Sequence, residues 1–279
     1  MTATASSALA CSVRGCGLPL LRHTTAYACP CGHNFDISRH GYVNLLQPQD
    51  RRSSSAGDSK AAVDARADLF AAGVGSTPAL RFVDCAAALP LRDEAVVVDL
   101  GSGAGDLLAA LAARRHIRGF GLDLSVAAVE RAARRHPMCT WVVANVDRRL
   151  PVLDASVDLA LSHHGRRRPA ECARVLTRSG RLLVAVPAPD DLIEVRTLLG
   201  GTAAAIDRSV RLVDEHSAWF DVKEKFRAAG RQALDPAQIK LLLRGTYLGQ
   251  RFSAITRLDA LGTMEVTFAS DVFVFVPRG

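Results

Sequence analysis

The 279-residue sequence has no stretch approaching the roughly 18 consecutive apolar residues of a membrane helix, which excludes helical membrane spans. Its start, residues 1–11, ends in Ala-Leu-Ala-Cys but has neither a basic leader nor an adequate apolar stretch, so it reads as the frayed terminus of a soluble, cytoplasmic chain. No internal repeat is found. Lysine is scarce: four of 35 basic residues are lysines, and such arginine bias also fits a GC-rich genome. Against 28 acidic residues the net charge is +7, which favours polyanionic partners such as nucleic acid without demanding them. Hydrophobic residues at 49% and charged residues at 23% exclude a disordered chain or a disulfide scaffold, and the length suits one substantial core plus a small module.

The seven cysteines fall into two populations. Cys11, Cys16, Cys29 and Cys31 crowd near the start, while Cys85, Cys139 and Cys172 are scattered. Clustering of the first kind in a cytosolic chain points to metal rather than to disulfides. Cys11-x4-Cys16 followed by Cys29-x3-His33 supplies four soft or borderline ligands suited to tetrahedral Zn²⁺, with Cys31 able to replace Cys29 or His33. The surrounding segment reads as two knuckles joined by a hairpin and has too little apolar surface to fold unaided.

Residues 47–59 are polar, basic and small and read as a linker, in which Arg51 and Arg52 could contact phosphate. Helices are expected at 61–72 and 78–89, and from residue 95 strands and helices alternate. Strands are expected at 95–100, 119–122, 141–144, 159–162 and 181–186, with helices at 106–115, 125–135 and 169–176 between them. Such alternation specifies a parallel sheet covered by helices on both faces. Beyond residue 189 the pattern loosens, leaving helices near 191–199 and 235–243 and a last strand at 264–276. The expected division is a zinc-binding module over 1–46, a linker and helical segment over 47–80, and the α/β domain over 81–279.

The sequence Asp99-Leu100-Gly101-Ser102-Gly103-Ala104-Gly105 follows a buried strand and opens a helix. Glycines there allow a sharp turn and close approach of a ligand, and the helix N-terminus offers free N–H groups. The spacing is G-x-G-x-G after an acid rather than G-x-G-x-x-G, the pattern of S-adenosylmethionine methyltransferases. Asp123 ends the next strand, where a carboxylate can accept both ribose hydroxyls, and Asn145 or Asp147 after the third strand can meet an adenine edge. Asp99 either touches the ligand or steadies the loop.

Beside these motifs stand Cys29-Pro30-Cys31-Gly32-His33-Asn34-Phe35-Asp36, Gly41-Tyr42-Val43-Asn44-Leu45-Leu46, Gly57-Asp58-Ser59, Ala65-Arg66 and Arg135-His136-Pro137. With them the chain resembles the 23S rRNA (guanine-N1) methyltransferases, a family that includes the tylosin-resistance methyltransferases, over roughly residues 11–200. The resemblance implies a Rossmann-like class I methyltransferase sheet with an N-terminal zinc lobe, an rRNA hairpin as partner, transfer to N1 of a guanine, macrolide resistance and a homodimer. A base must leave its stack to reach such a pocket. The chain departs from the family after the fourth strand, where an aromatic followed by Ala-Pro is replaced by His164-Gly165-Arg166. His164 is therefore expected at the target base, stacking on it or accepting a proton near neutral pH, with Arg167 and Arg168 available to phosphates. Two rival readings follow from this loop: a small-molecule or secondary-metabolite acceptor, and a non-catalytic RNA-binding relative.

Overall fold

A computed structural model describes residues 8–50, 57–199, 207–246 and 262–278. Arg51 and Arg52 lie outside the described residues. The N-terminal segment forms a small antiparallel sheet of β1 (Leu21–Arg22), β2 (Ala26–Ala28) and β3 (Asn34–Asp36). The knuckle turns at residues 11–17 and 29–33 flank it. Leu9, Leu20, Tyr27 and Cys29 belong to the same apolar cluster as Val142, Leu150 and Val152 of the large sheet's side. The small lobe thus borrows its core, as expected of a segment with little apolar surface of its own.

The large sheet is built from β4 (Tyr42–Asn44), β5 (Ala95–Leu100), β6 (Ile117–Asp123), β7 (Thr140–Val143), β8 (Val157–His163), β9 (Leu176–Pro187), β10 (Phe220–Leu234) and β11 (Met264–Pro277). Their order is β10-β11-β9-β8-β5-β6-β7-β4. All neighbours run parallel from β4 to β9, whereas β11 is antiparallel to both β9 and β10. β5 is buried at all six positions, as its continuous apolar run requires of a central parallel strand.

Helices α1 (Lys60–Ala71), α2 (Ser76–Ala88), α3 (Asp106–Ala112), α4 (Val126–Arg135), α5 (Pro169–Val175), α6 (Ile193–Leu198), α7 (Arg208–His216) and α8 (Pro236–Gly245) cover the sheet and its far edge. Their starts follow local chemistry. Ser59 and Ser125 accept from the amides of Ala62 and Ala128, both at 3.3 Å, and Asp235 with Gln238 makes a capping box on α8.

Several elements differ from expectation. Residues 42–44 fall within the span assigned to the zinc lobe, yet they run as an edge strand of the large sheet, paired with β7. The helix expected to reach residue 176 ends at Val175, and β9 starts there and extends to Pro187. α7 and β10 were not foreseen, and their sequences are rich in charge: β10 occupies the sheet edge, so most of its residues face solvent. Among the described residues, no helix is long and apolar enough to cross a membrane.

Candidate active site and metal centre

The loops that follow β5, β6 and β7 meet at the C-terminal edge of the parallel strands, the place where open α/β sheets bind ligands. Gly101, Gly103 and Gly105 all adopt positive φ, at 74°, 54° and 82°. A Cβ on Gly105 would lie 2.3 Å from the Trp141 ring, and one on Gly121 would lie 2.2 Å from it. The indole therefore fills the space under the loop, with its Nε1 donating to the His136 carbonyl at 2.8 Å. A Cβ on Gly103 would meet nothing within 4 Å, so the loop's outer side is open to a ligand.

Asp123 ends β6 and joins this loop to the next helix. Its Oδ2 accepts from the Gly103 amide at 2.9 Å and its Oδ1 from the Ser125 amide at 2.8 Å. Desolvation raises its carboxyl above the usual range, and the two amides act against that rise by favouring the anion. Asp99 is only 4% exposed, and burial followed by repulsion from Asp123 pushes it up to about 7. It lies near the end of β5, immediately before the turn.

After β7, Asn145 is buried and its carboxamide is engaged at both ends. Nδ2 donates to the Asp50 carbonyl at 2.8 Å and Oδ1 accepts from the Asp147 amide at 2.9 Å. Asp147 pairs with Arg166 Nε at 2.7 Å, bridging the loop after β7 to the loop after β8. Next to these loops lies a cleft of about 650 Å³ between the first knuckle and residues 144–151. Its lining includes Arg14, Arg148, Arg149 and Asn145.

His164 follows β8 with φ 54° and is exposed to solvent. Its ring stacks on His163 with centroids 4.3 Å apart, and Nε2 lies 2.9 Å from the Ser270 hydroxyl on β11. His163 in turn meets the Phe82 ring edge-on at 5.2 Å. Desolvation in the crevice, with His163 and Arg208 adding positive charge, holds the His164 imidazole well below the ordinary histidine range. That direction disfavours the protonated ring and runs against a proton-accepting role near neutral pH. Its accessible ring remains suited to stacking. Gly165 packs under the glycine loop, where a Cβ would come within 2.6 Å of the Leu100 carbonyl. Arg167 turns inward, donating to the Gly165 carbonyl at 3.1 Å and to His216 Nε2 at 3.3 Å, whereas Arg168 is exposed. Of that pair, Arg168 is the more exposed.

In the N-terminal lobe the ligand atoms of Cys11, Cys16, Cys29 and His33 lie within 4.8 Å of one another. Cys11 Sγ and Cys29 Sγ each stand 3.4 Å from His33 Nδ1, and Cys16 Sγ is 3.8 Å from Cys29 Sγ. Burial pushes the Cys11 thiol up to about 12, so its thiolate needs a cation beside it. Three thiolates and one imidazole in this arrangement fit tetrahedral Zn²⁺. Cys31 is exposed and interacts with Cys16 and Cys29, but it is not among the four residues whose ligand atoms converge.

Sequence reasoning missed Trp141 as the floor of the glycine loop, Ser270 as partner of His164, and the docking of Asp58 on Ser125. The glycine at 121 was the available signal for the first, because a small residue in a buried strand marks a close neighbour. The others bring together residues far apart in the chain and leave no local trace.

Residues 97–184 match the family described as Methyltransferase domain, and residues 10–54 match a zinc-ribbon family described as RlmA, N-terminal. The 23S rRNA (guanine(748)-N(1))-methyltransferase of Streptomyces fradiae is 35% identical over 220 residues, covering 77% of this chain and 78% of that protein. A Micromonospora griseorubida protein named for 23S rRNA guanine-N1 methylation is also 35% identical, over 74% of this chain and 75% of its own length. Among solved structures, the Haloferax volcanii complex of the Trm112 methyltransferase activator with a methyltransferase contains a similar chain. It superposes with TM-score 0.56 at 19% identity, covering 81% of this chain and 100% of that one, a likeness of fold alone. With the metal cluster, the glycine turn and the sheet order in place, these relatives show that the chain belongs to the 23S rRNA (guanine-N1) methyltransferase family.

Proposed function

We infer that the protein transfers the methyl group of S-adenosylmethionine to N1 of a guanine in 23S rRNA. The observation that carries this reading is the Asp123 carboxylate, which ties the open Gly103 backbone to the start of α4 at the C-terminal edge of the parallel strands. Gly101 and Gly103 would let the cofactor approach, Asp123 would accept its ribose hydroxyls, and Asn145 and Asp147 would border the adenine, Asn145 by fixing the loop. The bound cofactor supplies the electrophilic methyl. The chain's own part is to align acceptor and donor and exclude water, since in-line transfer needs positioning more than strong acid or base groups.

His164 borders the target base in this reading, as a stacking surface held by His163 and Ser270. The rRNA lies against the basic cleft of Arg14, Arg148 and Arg149, which would give the RNA affinity a steep salt dependence. A cytoplasmic site of action and a contribution to macrolide resistance accompany the same reading. Purified protein given tritiated S-adenosylmethionine should label 23S rRNA that lacks the modification. Binding of cofactor without labelling of that RNA would sink the reading.

The His164-Gly165-Arg166 loop favours one alternative, a small-molecule acceptor, because it departs from the family's aromatic-Ala-Pro and Arg166 is engaged by Asp147. Weak RNA binding insensitive to salt, with transfer to a small aromatic acceptor, would establish that alternative instead.

A further inference from the structure

The reading above leaves one motif unused, Gly57-Asp58-Ser59 with Arg66 on α1. In the structure this segment lies on the turn that carries Asp123. Gly57 has φ 92°, and a Cβ there would sit 2.8 Å from both the amide nitrogen and the Cα of Ser125. Only a glycine permits that approach. The Ser125 hydroxyl donates to the Asp58 carbonyl at 2.8 Å, while the Ser125 amide donates to Asp123. One residue thus holds both the docked segment and the carboxylate.

The side chain of Asp58 forms an ion pair with Arg66. Arg66 also donates through Nη1 to the Gly245 carbonyl at the end of α8, at 2.8 Å. Gly245 packs on the same side chain, since a Cβ there would fall 2.9 Å from Arg66 Cγ. The charges facing Asp123 are Asp58 and Arg66 from the α1 side and Asp99 from β5. Farther along, Arg131 of α4 bonds Asp64 at 2.7 Å and Asp68 at 2.9 Å, pinning α1 against α4.

Resting on the cofactor reading of this crevice, we propose that Asp58 and Arg66 are positioning residues for S-adenosylmethionine: docked together on Ser125, they fix the Asp123 carboxylate and balance the charge beside it. Asp58 alone would place a second negative group next to a carboxylate that must be ionised to accept two ribose hydroxyls. Arg66 offsets that repulsion and, through Gly245, ties the end of α8 to the cofactor turn. An opposite charge close to a carboxylate typically moves its titration by about one unit or more, which is roughly tenfold in the affinity of a ligand that needs the anion.

The test is calorimetric titration of the full-length, zinc-loaded protein with S-adenosylhomocysteine across the pH range in which it stays folded. Affinity should fall as pH falls through the raised titration of Asp123. Arg66→Ala should move that midpoint upward and weaken binding about tenfold on the acid side of it, with a smaller loss on the alkaline side. Asp58→Asn should move the midpoint downward, the double variant should return it close to the parent, and Arg66→Lys should keep it. Equal losses at every pH without a shift of midpoint would reduce the pair to a structural role and overturn the proposal, as would single variants that bind like the parent. Should Arg66→Ala fail to fold, the midpoint of Asp58→Asn decides, and no downward shift there overturns it. Unchanged binding by Asp123→Ala is a separate outcome, for it would sink the cofactor reading itself.

Discussion

Replacing Asp123 by alanine removes an acceptor that serves the protein and the proposed cofactor at once. Two amides lose their partner, those of Gly103 at 2.9 Å and Ser125 at 2.8 Å, and two ribose hydroxyls lose theirs. Hydrogen bonds to a charged group contribute about 1.5–3 kcal/mol each, but the freed amides line an accessible crevice and can turn to water, which recovers part of the loss. A net cost to cofactor binding of about 3 kcal/mol is expected, or roughly a hundredfold in affinity. Asp123→Asn keeps one carbonyl acceptor but no charge, and should lose about tenfold. Titration calorimetry with S-adenosylhomocysteine at pH 7.5 reads both values, and thermal unfolding of the apo variants shows whether the fold survives. An Asp123→Ala variant that folds and binds within twofold of the parent would refute the reasoning, because the turn would then not be where the ribose sits.

Asp99→Asn should stabilise the cofactor-free protein at high pH. A carboxyl that titrates at about 7 in the fold and 3.8 when unfolded adds no penalty below pH 3.8, a growing one between the two values, and a full one above 7. That full penalty is about 4 kcal/mol at most, so denaturant unfolding should show the variant more stable at pH 8 and equal to the parent near pH 4. Gly105→Ala combines strain at φ 82° with a contact of 2.3 Å to Trp141, and should cost about 3 kcal/mol or more of stability, readable in the unfolding midpoint. Removal of zinc by a strong chelator should melt the lobe around β1–β3 before the large sheet, and Cys29→Ser should lower metal content while Cys31→Ser leaves it at about one ion per chain. Metal analysis and limited proteolysis within the first 46 residues check both.

Much of the central sheet was legible because its strands are buried on both faces and announce themselves as apolar runs, as in Ala-Val-Val-Val before Asp99. The glycine turn and Asp123 were legible for a different reason: their chemistry is local, set by residues adjacent in the chain. β10 was hidden because an edge strand buries little, so Asp221, Lys223, Glu224 and Lys225 interrupt any alternation. β4 was hidden by its length. Three residues carry no period, and the pairing of Val43 with Val142 comes from tertiary packing. The same limit applied to the site. His164 was found by its place after β8, but the downward shift of its titration depends on surroundings that include His163 and Arg208, which no spacing reports. The metal cluster lay between these cases, since spacing yielded the candidates and only the fold of the second knuckle separated Cys31 from Cys29 and His33.

The central claim is that the crevice above the glycine turn methylates a guanine at N1 in 23S rRNA. Reverse transcription of such RNA, isolated without the modification and then incubated with the protein and S-adenosylmethionine, tests it most directly, because a methyl group at N1 blocks the pairing edge. The account predicts a new stop one nucleotide before a single guanine, dependent on cofactor and absent with Asp123→Ala. Full-length transcripts from an incubation in which the protein demonstrably binds both cofactor and RNA would contradict it.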